Sequence, residues 1–219
     1  MKKIIRVLVV EDSPAMSKMI TDILNANREI IVVGVAVNGK EAVELASRMK
    51  PDIVTMDIHM PIMDGLEATK QIMAYNPTPI VILSASVFKA EMNKAFRAIS
   101  YGALDVIDKS RVADDLTEKV KFLSSIKVIK HPLGKLEKES HRVMSVKATG
   151  KLKKDISGER MVAIATSTGG PQAILQILRR LPRTFPCGIL IVQHITRGFI
   201  QGLADWLDSQ CAIDVKVAR

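Results

Sequence analysis

The chain has 219 residues, of which 47% are hydrophobic and 25% charged, and it carries two cysteines. At roughly 100–200 residues per domain this suggests one large domain or two small ones, and the composition excludes a disordered tail or a collagen-like fibre. No apolar run approaches the ~20 residues that span a bilayer, so no membrane insertion is expected. The opening Met1-Lys2-Lys3-Ile4-Ile5 imitates a signal peptide, but Arg6 interrupts it, Glu11-Asp12 follow and no small-residue cleavage site appears. It reads as the first strand of a cytoplasmic protein. Cys187 and Cys211 form no disulfide framework, lack metal-ligand spacing and read as buried small hydrophobes.

The formal net charge of +9 suggests a nucleic-acid partner until its distribution is read. Residues 1–118 carry a net −2, residues 119–160 a net +8 and residues 161–219 a net +3. The excess sits in one short stretch, and no nucleic-acid partner is expected. The chain divides into three parts: 1–125, a basic flexible linker over 126–160, and 161–219.

The first part alternates apolar runs with helical patterns. Arg6–Val10 reads as a buried strand, and Ser13-Pro14 as an N-cap with proline at the first helical position. Met16, Met19, Ile20, Ile23 and Leu24 mark one helix face. Residues 31–37 form a strand closed by an Asn38-Gly39 turn, and Ala42, Val43, Ala46 and Met49 mark a second helix ending near Pro51. Further strands are expected at Asp52–Met56, Ile80–Leu83 and Asp105–Ile107, and a last helix through Leu116, Val120 and Leu123. Alternating units of this length imply an α/β, doubly wound parallel sheet with helices on both faces.

In such sheets the functional site lies at the carboxyl ends of the strands. Glu11 and Asp12 end the first strand, Asp57 the third and Ser84 the fourth, and the fifth runs into Lys109. Three carboxylates on one edge repel each other unless a cation lies among them, and oxygen-only ligands suit Mg²⁺. A lysine and a serine hydroxyl beside them can meet phosphoryl oxygens, and Asp57 is a candidate nucleophile toward a phosphodonor.

Val9-Val10-Glu11-Asp12-Ser13, the run Met56-Asp57-Ile58-His59-Met60-Pro61-Ile62-Met63-Asp64-Gly65 and Leu83-Ser84-Ala85 resemble the receiver domain of bacterial response regulators. The resemblance implies a flavodoxin-like fold, with Asp57 as phosphoacceptor and Glu11, Asp12 and Asp57 holding Mg²⁺. It also implies that Ser84 and Lys109 contact the phosphoryl group. Pro61 and Gly65 shape the loop after Asp57, with Gly65 expected at positive φ. Two positions depart from the family. Ser110 stands where it has proline after the lysine, so this loop is expected to be held less firmly. Val106 stands where it has a switching tyrosine or phenylalanine, so the usual aromatic read-out is missing.

After the last receiver helix, His131-Pro132, Gly134 and Gly150 punctuate a lysine-rich stretch with few large apolar residues. It reads as a solvated tether rather than a patch for an anionic partner. Beyond it, Met161–Ala165 and Gly188–Val192 read as strands, Ala173, Ile174, Ile177, Leu178 and Leu181 as a helix face, and residues 199–207 as a helix carrying Trp206. Residues 213–217 read as the start of a third strand. Thr166-Ser167-Thr168-Gly169-Gly170-Pro171 is a tight turn from strand to helix, and His194 ends the adjacent strand. Ser167 as nucleophile and His194 as its base form a sterically sensible pair. The glycines would let a substrate approach the backbone, and the helix N-terminus would offer N–H groups to an oxyanion. Two other readings stand beside this one: a phosphate-binding turn, although no P-loop lysine is present, and a structural histidine.

Ala165 to Pro171 together with Val192-Gln193-His194-Ile195 resemble the start of the chemotaxis receptor methylesterase domain of the CheB family, which has a receiver, a linker and a catalytic domain in this order. The resemblance makes Ser167 the nucleophile and His194 the base in hydrolysis of glutamate methyl esters on chemoreceptors, with glutamine deamidation as a further activity and no cofactor at that site. It implies a chemotaxis histidine kinase as phosphodonor, and a receiver that covers the active site until it is phosphorylated. The family's catalytic aspartate belongs to a later loop, and none of Asp205, Asp208 or Asp214 matches it. From this the chain is expected to be C-terminally truncated, with residues 161–219 an incomplete catalytic domain, outer faces uncovered and weak esterase activity. In comparable triads loss of the acid lowers turnover ~10⁴-fold. The alternative is a non-catalytic receiver that acts as a phosphate sink or partner-binding module. A DNA-binding regulator is disfavoured, since no helix-turn-helix pattern follows the linker.

Overall fold

The computed structural model of the chain describes residues 3–85, 89–129, 160–195 and 198–218. Five parallel strands, β1 (Ile5–Val10), β2 (Ile30–Ala36), β3 (Ile53–Asp57), β4 (Ile80–Ser84) and β5 (Asp105–Asp108), form one sheet in the order β2-β1-β3-β4-β5. Helices α1 (Pro14–Asn25), α2 (Gly39–Met49), α3 (Gly65–Tyr75), α4 (Lys89–Ser100) and α5 (Val112–Leu123) alternate with them. The central strands are apolar without alternation because each is buried on both sides. Leu8, Val10, Val54, Met56, Ile80, Ile82 and Val106 belong to one core, which includes residues of α2, α3 and α4. Val7, Val9, Ile53, Val81, Leu83 and Ile107 belong to the other, with residues of α1 and α5.

Local chemistry sets the element starts. Ser13 Oγ accepts from Met16 N (3.5 Å) and Pro14 opens α1. On α1 the buried residues are Ser17, Ile20 and Leu24, whereas Met19, expected on that face, is exposed. Asn38-Gly39 is not a free turn. Asn38 caps α2, its Oδ1 accepting from Glu41 N (2.9 Å), and Gly39 is the first helical residue, its N–H donating to Met63 O (2.9 Å). A Cβ there would lie 2.6 Å from that carbonyl oxygen.

The C-terminal part carries β6 (Met161–Thr166), α6 (Gly170–Leu178), β7 (Gly188–Gln193) and α7 (Ile200–Gln210). β6 and β7 pair in parallel, from Met161 opposite Gly188 to Thr166 opposite Gln193. Ile164, Ile189 and Ile191 pack against the first core, while Met161, Leu190 and Val192 on the opposite face are exposed. The third strand expected at residues 213–217 does not form. The Val215 N–H donates to Asp208 Oδ1 (2.8 Å) rather than to a neighbouring strand, and a cavity of about 630 Å³ is lined by both β7 and this segment.

This part docks on the five-stranded unit through α4. The Phe96 ring stacks on Trp206 (centroids 5.6 Å apart, planes at 24°) and meets Phe199 edge-on (6.5 Å, 73°). Ile174, Leu175 and Leu178 of α6, with Leu203 and Leu207 of α7, belong to the same core. Cys187 and Cys211 are half-buried free thiols, not fully buried ones, and burial raises the pKa of Cys211. Past α5, Ile126 and Val128 pack against the core. The tether expected from its composition lies, for residues 130–159, outside the described residues. Among the described residues no helix is long and apolar enough to cross a membrane.

Candidate functional site

Parallel strands place all their carboxyl ends on one edge of the sheet. There the structure brings together the expected residues Glu11, Asp12, Asp57 and Lys109. Glu11 and Asp57 are 1% and 4% exposed, and oxygens of Glu11, Asp12 and Asp57 lie within 4.8 Å of one another. The Lys109 ammonium bridges two of them, 2.7 Å from Glu11 Oε2 and 2.9 Å from Asp57 Oδ2. Asp57 Oδ1 accepts from Ile58 N (2.7 Å). Ser84, the last residue of β4, is buried, and its hydroxyl has no hydrogen-bond partner among the described residues.

Burial pushes the Glu11 carboxyl above its ordinary pKa, with the Asp57 charge adding to the rise, and the contact with Lys109 offsets this only in part. Burial alone would lower the Lys109 pKa, but hydrogen bonds to Asp57 and Glu11 outweigh it and raise the pKa. An oxygen-only cluster with one exposed carboxylate, Asp12, fits a hard divalent ion such as Mg²⁺, which keeps several of its waters.

The loops around this edge differ from expectation in two respects. Gly65 does not take a positive φ; it is the first residue of α3, and an added Cβ would run into the Asp57 carbonyl. The left-handed residue of this loop is Ile62, at φ +69° and 82% exposed, an outlier for a β-branched side chain. The loop after β5 has its own tether in place of proline. Asp108 Oδ1 accepts from both Ser110 N (2.8 Å) and Ser110 Oγ (2.7 Å) and so caps the 3-10 turn Lys109–Arg111. Val106 is buried in the core that holds Phe96 and Ala103.

A second group of candidate residues stands at the ends of β6 and β7. Ser167 Oγ lies 3.3 Å from His194 Nδ1, and both residues are exposed. Strand pairing explains the approach. Thr166 and Gln193 are the last paired residues, so the next residue on each strand carries one member of the pair. The His194 N–H donates to Thr166 O (2.9 Å). Among the described residues no carboxylate is hydrogen-bonded to the His194 ring, and Asp208 is committed to Val215 N.

The turn is less open than its sequence suggests. Gly169 takes φ +74° with free space around it, which suits close approach of a ligand. Gly170 is buried, and a Cβ there would lie 2.7 Å from Thr166 Cβ. Two of the amides at the helix start are engaged. Gly169 N donates to Leu104 O (3.3 Å) across to the five-stranded unit, Gly170 N donates to Ser167 O (2.9 Å), and Pro171 has no N–H.

Gln193 stands in the Val192-Gln193-His194-Ile195 run, where the sequence pattern assigns it no role. Its Nε2 donates to Ser167 O (2.7 Å) and His194 O (2.8 Å), and its Oε1 accepts from Thr166 Oγ1 (2.6 Å). A glutamine ending an apolar strand carries no local signal, since two of its partners lie on a strand 26–27 residues earlier.

Comparison with known proteins finds matches to both segments of the chain. Residues 7–121 match the response regulator receiver domain, and residues 162–219 match the CheB methylesterase family. The chain is 41% identical to a protein-glutamate methylesterase/protein-glutamine glutaminase of Nitrosospira multiformis, over 98% of this chain and 62% of the relative. It is 42% identical to one from Syntrophus aciditrophicus, over 98% and 63%. It thus spans somewhat under two thirds of the length of these curated relatives. Among solved structures, the response regulator domain of Thermotoga maritima CheB is 36% identical with a TM-score of 0.54, and the match covers 57% of this chain and 99% of that one.

Proposed function

This chain belongs to the response regulators of the CheB kind, and on that footing we propose that it receives a phosphoryl group at Asp57 and so controls a serine esterase centred on Ser167. An Asp57 carboxylate oxygen attacks the phosphorus of a phosphohistidine on a chemotaxis kinase. The new O–P bond forms as the N–P bond breaks, and the departing imidazole takes a proton from water. Glu11, Asp12 and Asp57 would hold Mg²⁺, which when bound neutralises charge on the transferring group. Lys109 meets a phosphoryl oxygen as a point charge, and the Ser84 hydroxyl, which has no partner among the described residues, donates to another.

The esterase reading is carried by one observation: Ser167 Oγ is 3.3 Å from His194 Nδ1 within the segment that matches the methylesterase family. His194 takes the serine proton as Oγ attacks the ester carbonyl of a methylated glutamate on a chemoreceptor. Collapse of the adduct breaks the ester C–O bond, and methanol leaves with that proton. Water then hydrolyses the acyl-serine to release glutamate. A glutamine side chain processed in the same way releases ammonia. The reading places the protein in the cytoplasm, beside the signalling ends of its receptors. A purely non-catalytic phosphate sink is not favoured, because it leaves the methylesterase match and the serine–histidine pair without a role.

Two measurements test the proposal. Acetyl phosphate with Mg²⁺ is expected to label the wild type and not Asp57→Asn; equal labelling removes Asp57 from the role. Methanol release from methylated receptor membranes is expected to vanish in Ser167→Ala; an unchanged rate removes Ser167.

A further inference from the structure

We propose that Gln193, oriented by Thr166, is a positioning residue that sets the geometry between Ser167 and His194. The inference rests on the serine–histidine reading above and adds residues that the reading does not need. Ser167 and His194 lie on separate strands, each one residue past the last paired position; the His194 N–H still bonds Thr166 O (2.9 Å), but among the described residues no backbone bond joins Ser167 to the His194 strand. The Gln193 side chain takes over at that point. Its single amide nitrogen donates to the carbonyls of both residues, at 2.7 and 2.8 Å. The two peptide units that carry nucleophile and base are therefore held to one atom.

Chemistry allows the amide only one orientation. Carbonyl oxygens cannot donate, so the amide nitrogen must face Ser167 O and His194 O. Its oxygen then needs a donor, and Thr166 Oγ1 supplies one at 2.6 Å. Thr166 also accepts the His194 N–H at its carbonyl, so the pair Thr166–Gln193 closes around the base from both strands. Gly170 leaves room for this, since an added Cβ would run into Gln193 Oε1 and lie 2.8 Å from Thr166 Oγ1. The bonds of the clamp end on the backbone of the reacting residues, while the Ser167 and His194 side chains stay exposed for substrate.

The experiment uses the full 219-residue chain and an alkyl fluorophosphonate, which phosphonylates an activated serine with loss of fluoride. Intact-mass spectrometry separates two quantities: the first-order rate constant at saturating probe and the final labelled fraction. Gln193→Ala is expected to lower the rate constant about tenfold or more, because small misplacements of reacting groups carry penalties of that order and above. The labelled fraction is expected to stay at the wild-type level. Thr166→Val, near in volume, is expected to fall between wild type and Gln193→Ala, and Thr166→Ser, which keeps the hydroxyl, to return within about twofold of wild type. Unchanged rate constants in Gln193→Ala and Thr166→Val overturn the inference alone. A falling labelled fraction at an unchanged rate constant overturns it too, since Gln193 would then only support folding. No labelling of wild-type Ser167 overturns the esterase reading and this inference with it.

Discussion

The five-stranded unit and the C-terminal segment are built from the same strand–turn–helix grammar, yet they hold their reactive groups in opposite ways. In the first, both sheet faces are covered, and Glu11, Asp57 and Ser84 are buried at the strand ends. Burial there sets the electrostatics, lifting the Glu11 pKa and forcing Lys109 to neutralise its neighbours. In the second, the sheet has two strands with one covered face, and Ser167 and His194 stand in solvent. Their geometry comes from hydrogen bonds at the strand ends, and their scaffold packs on α4 of the other unit. A fully enclosed sheet tunes chemistry by desolvation; a half-covered one relies on local bonds and on a neighbour.

The dependence of the C-terminal segment on its neighbour is tested most severely by Phe96→Ala. Phe96 is fully buried between Trp206 and Phe199, and its truncation is expected to remove about 3–5 kcal/mol of packing. Trp206 is the single tryptophan, so its fluorescence reports the C-terminal segment while far-UV circular dichroism follows all the helices. In urea the fluorescence transition is expected to shift to lower denaturant ahead of the dichroism. A fluorescence transition left at its wild-type midpoint would mean that the segment does not depend on α4.

A smaller effect tests electrostatics at the opposite edge of the first sheet. Asp52 precedes β3 and accepts from Lys3 Nζ (2.6 Å) and Arg6 N (2.9 Å). Burial would raise its pKa, but these partners together lower it. A lowered folded-state pKa means that the ionised form is favoured by folding. The stabilisation is therefore full above the unfolded value of about 3.9 and is lost as pH falls through the folded value below it. Asp52→Asn is expected to lose about 1 kcal/mol near neutral pH, and the deficit is expected to shrink as the pH falls below the unfolded value, as read from urea midpoints. A deficit that stays the same as the pH falls would assign the effect to shape rather than charge.

The smallest effect is expected on the bare face of the second sheet. Leu190→Lys should change stability by less than about 0.5 kcal/mol, since the side chain is already exposed, while reducing self-association in light scattering. A large loss of stability would show that this face is covered in solution.

Most of the first unit was legible because apolar strands bounded by turns and a parallel topology leave few arrangements. The strand-end rule then located Asp57, Ser84 and Lys109 from order alone. What escaped depends on partners distant in sequence. Residues 213–217 have the apolar content of a strand, but strand formation needs a hydrogen-bonded neighbour, and the Val215 amide takes Asp208 instead. Gly65 looked like a left-handed hinge, yet its requirement is space beside the Asp57 carbonyl, and the left-handed residue is Ile62. Gln193 carried no periodic signal because its role lies in side-chain bonds to the other strand.

Leu104 has a consequence of its own. Its N–H donates to Ile80 O in the first sheet, and its carbonyl receives the Gly169 N–H from the nucleophile turn. Only the φ and ψ of this one residue separate the two bonds. A displacement of β5 relative to β4 at their amino ends, opposite the edge that carries Ser84 and Lys109, would reach Gly169 through backbone alone. The exchange rate of the Gly169 amide hydrogen with deuterium is thereby a clock for that displacement, readable in the intact chain before and after acyl-phosphate formation.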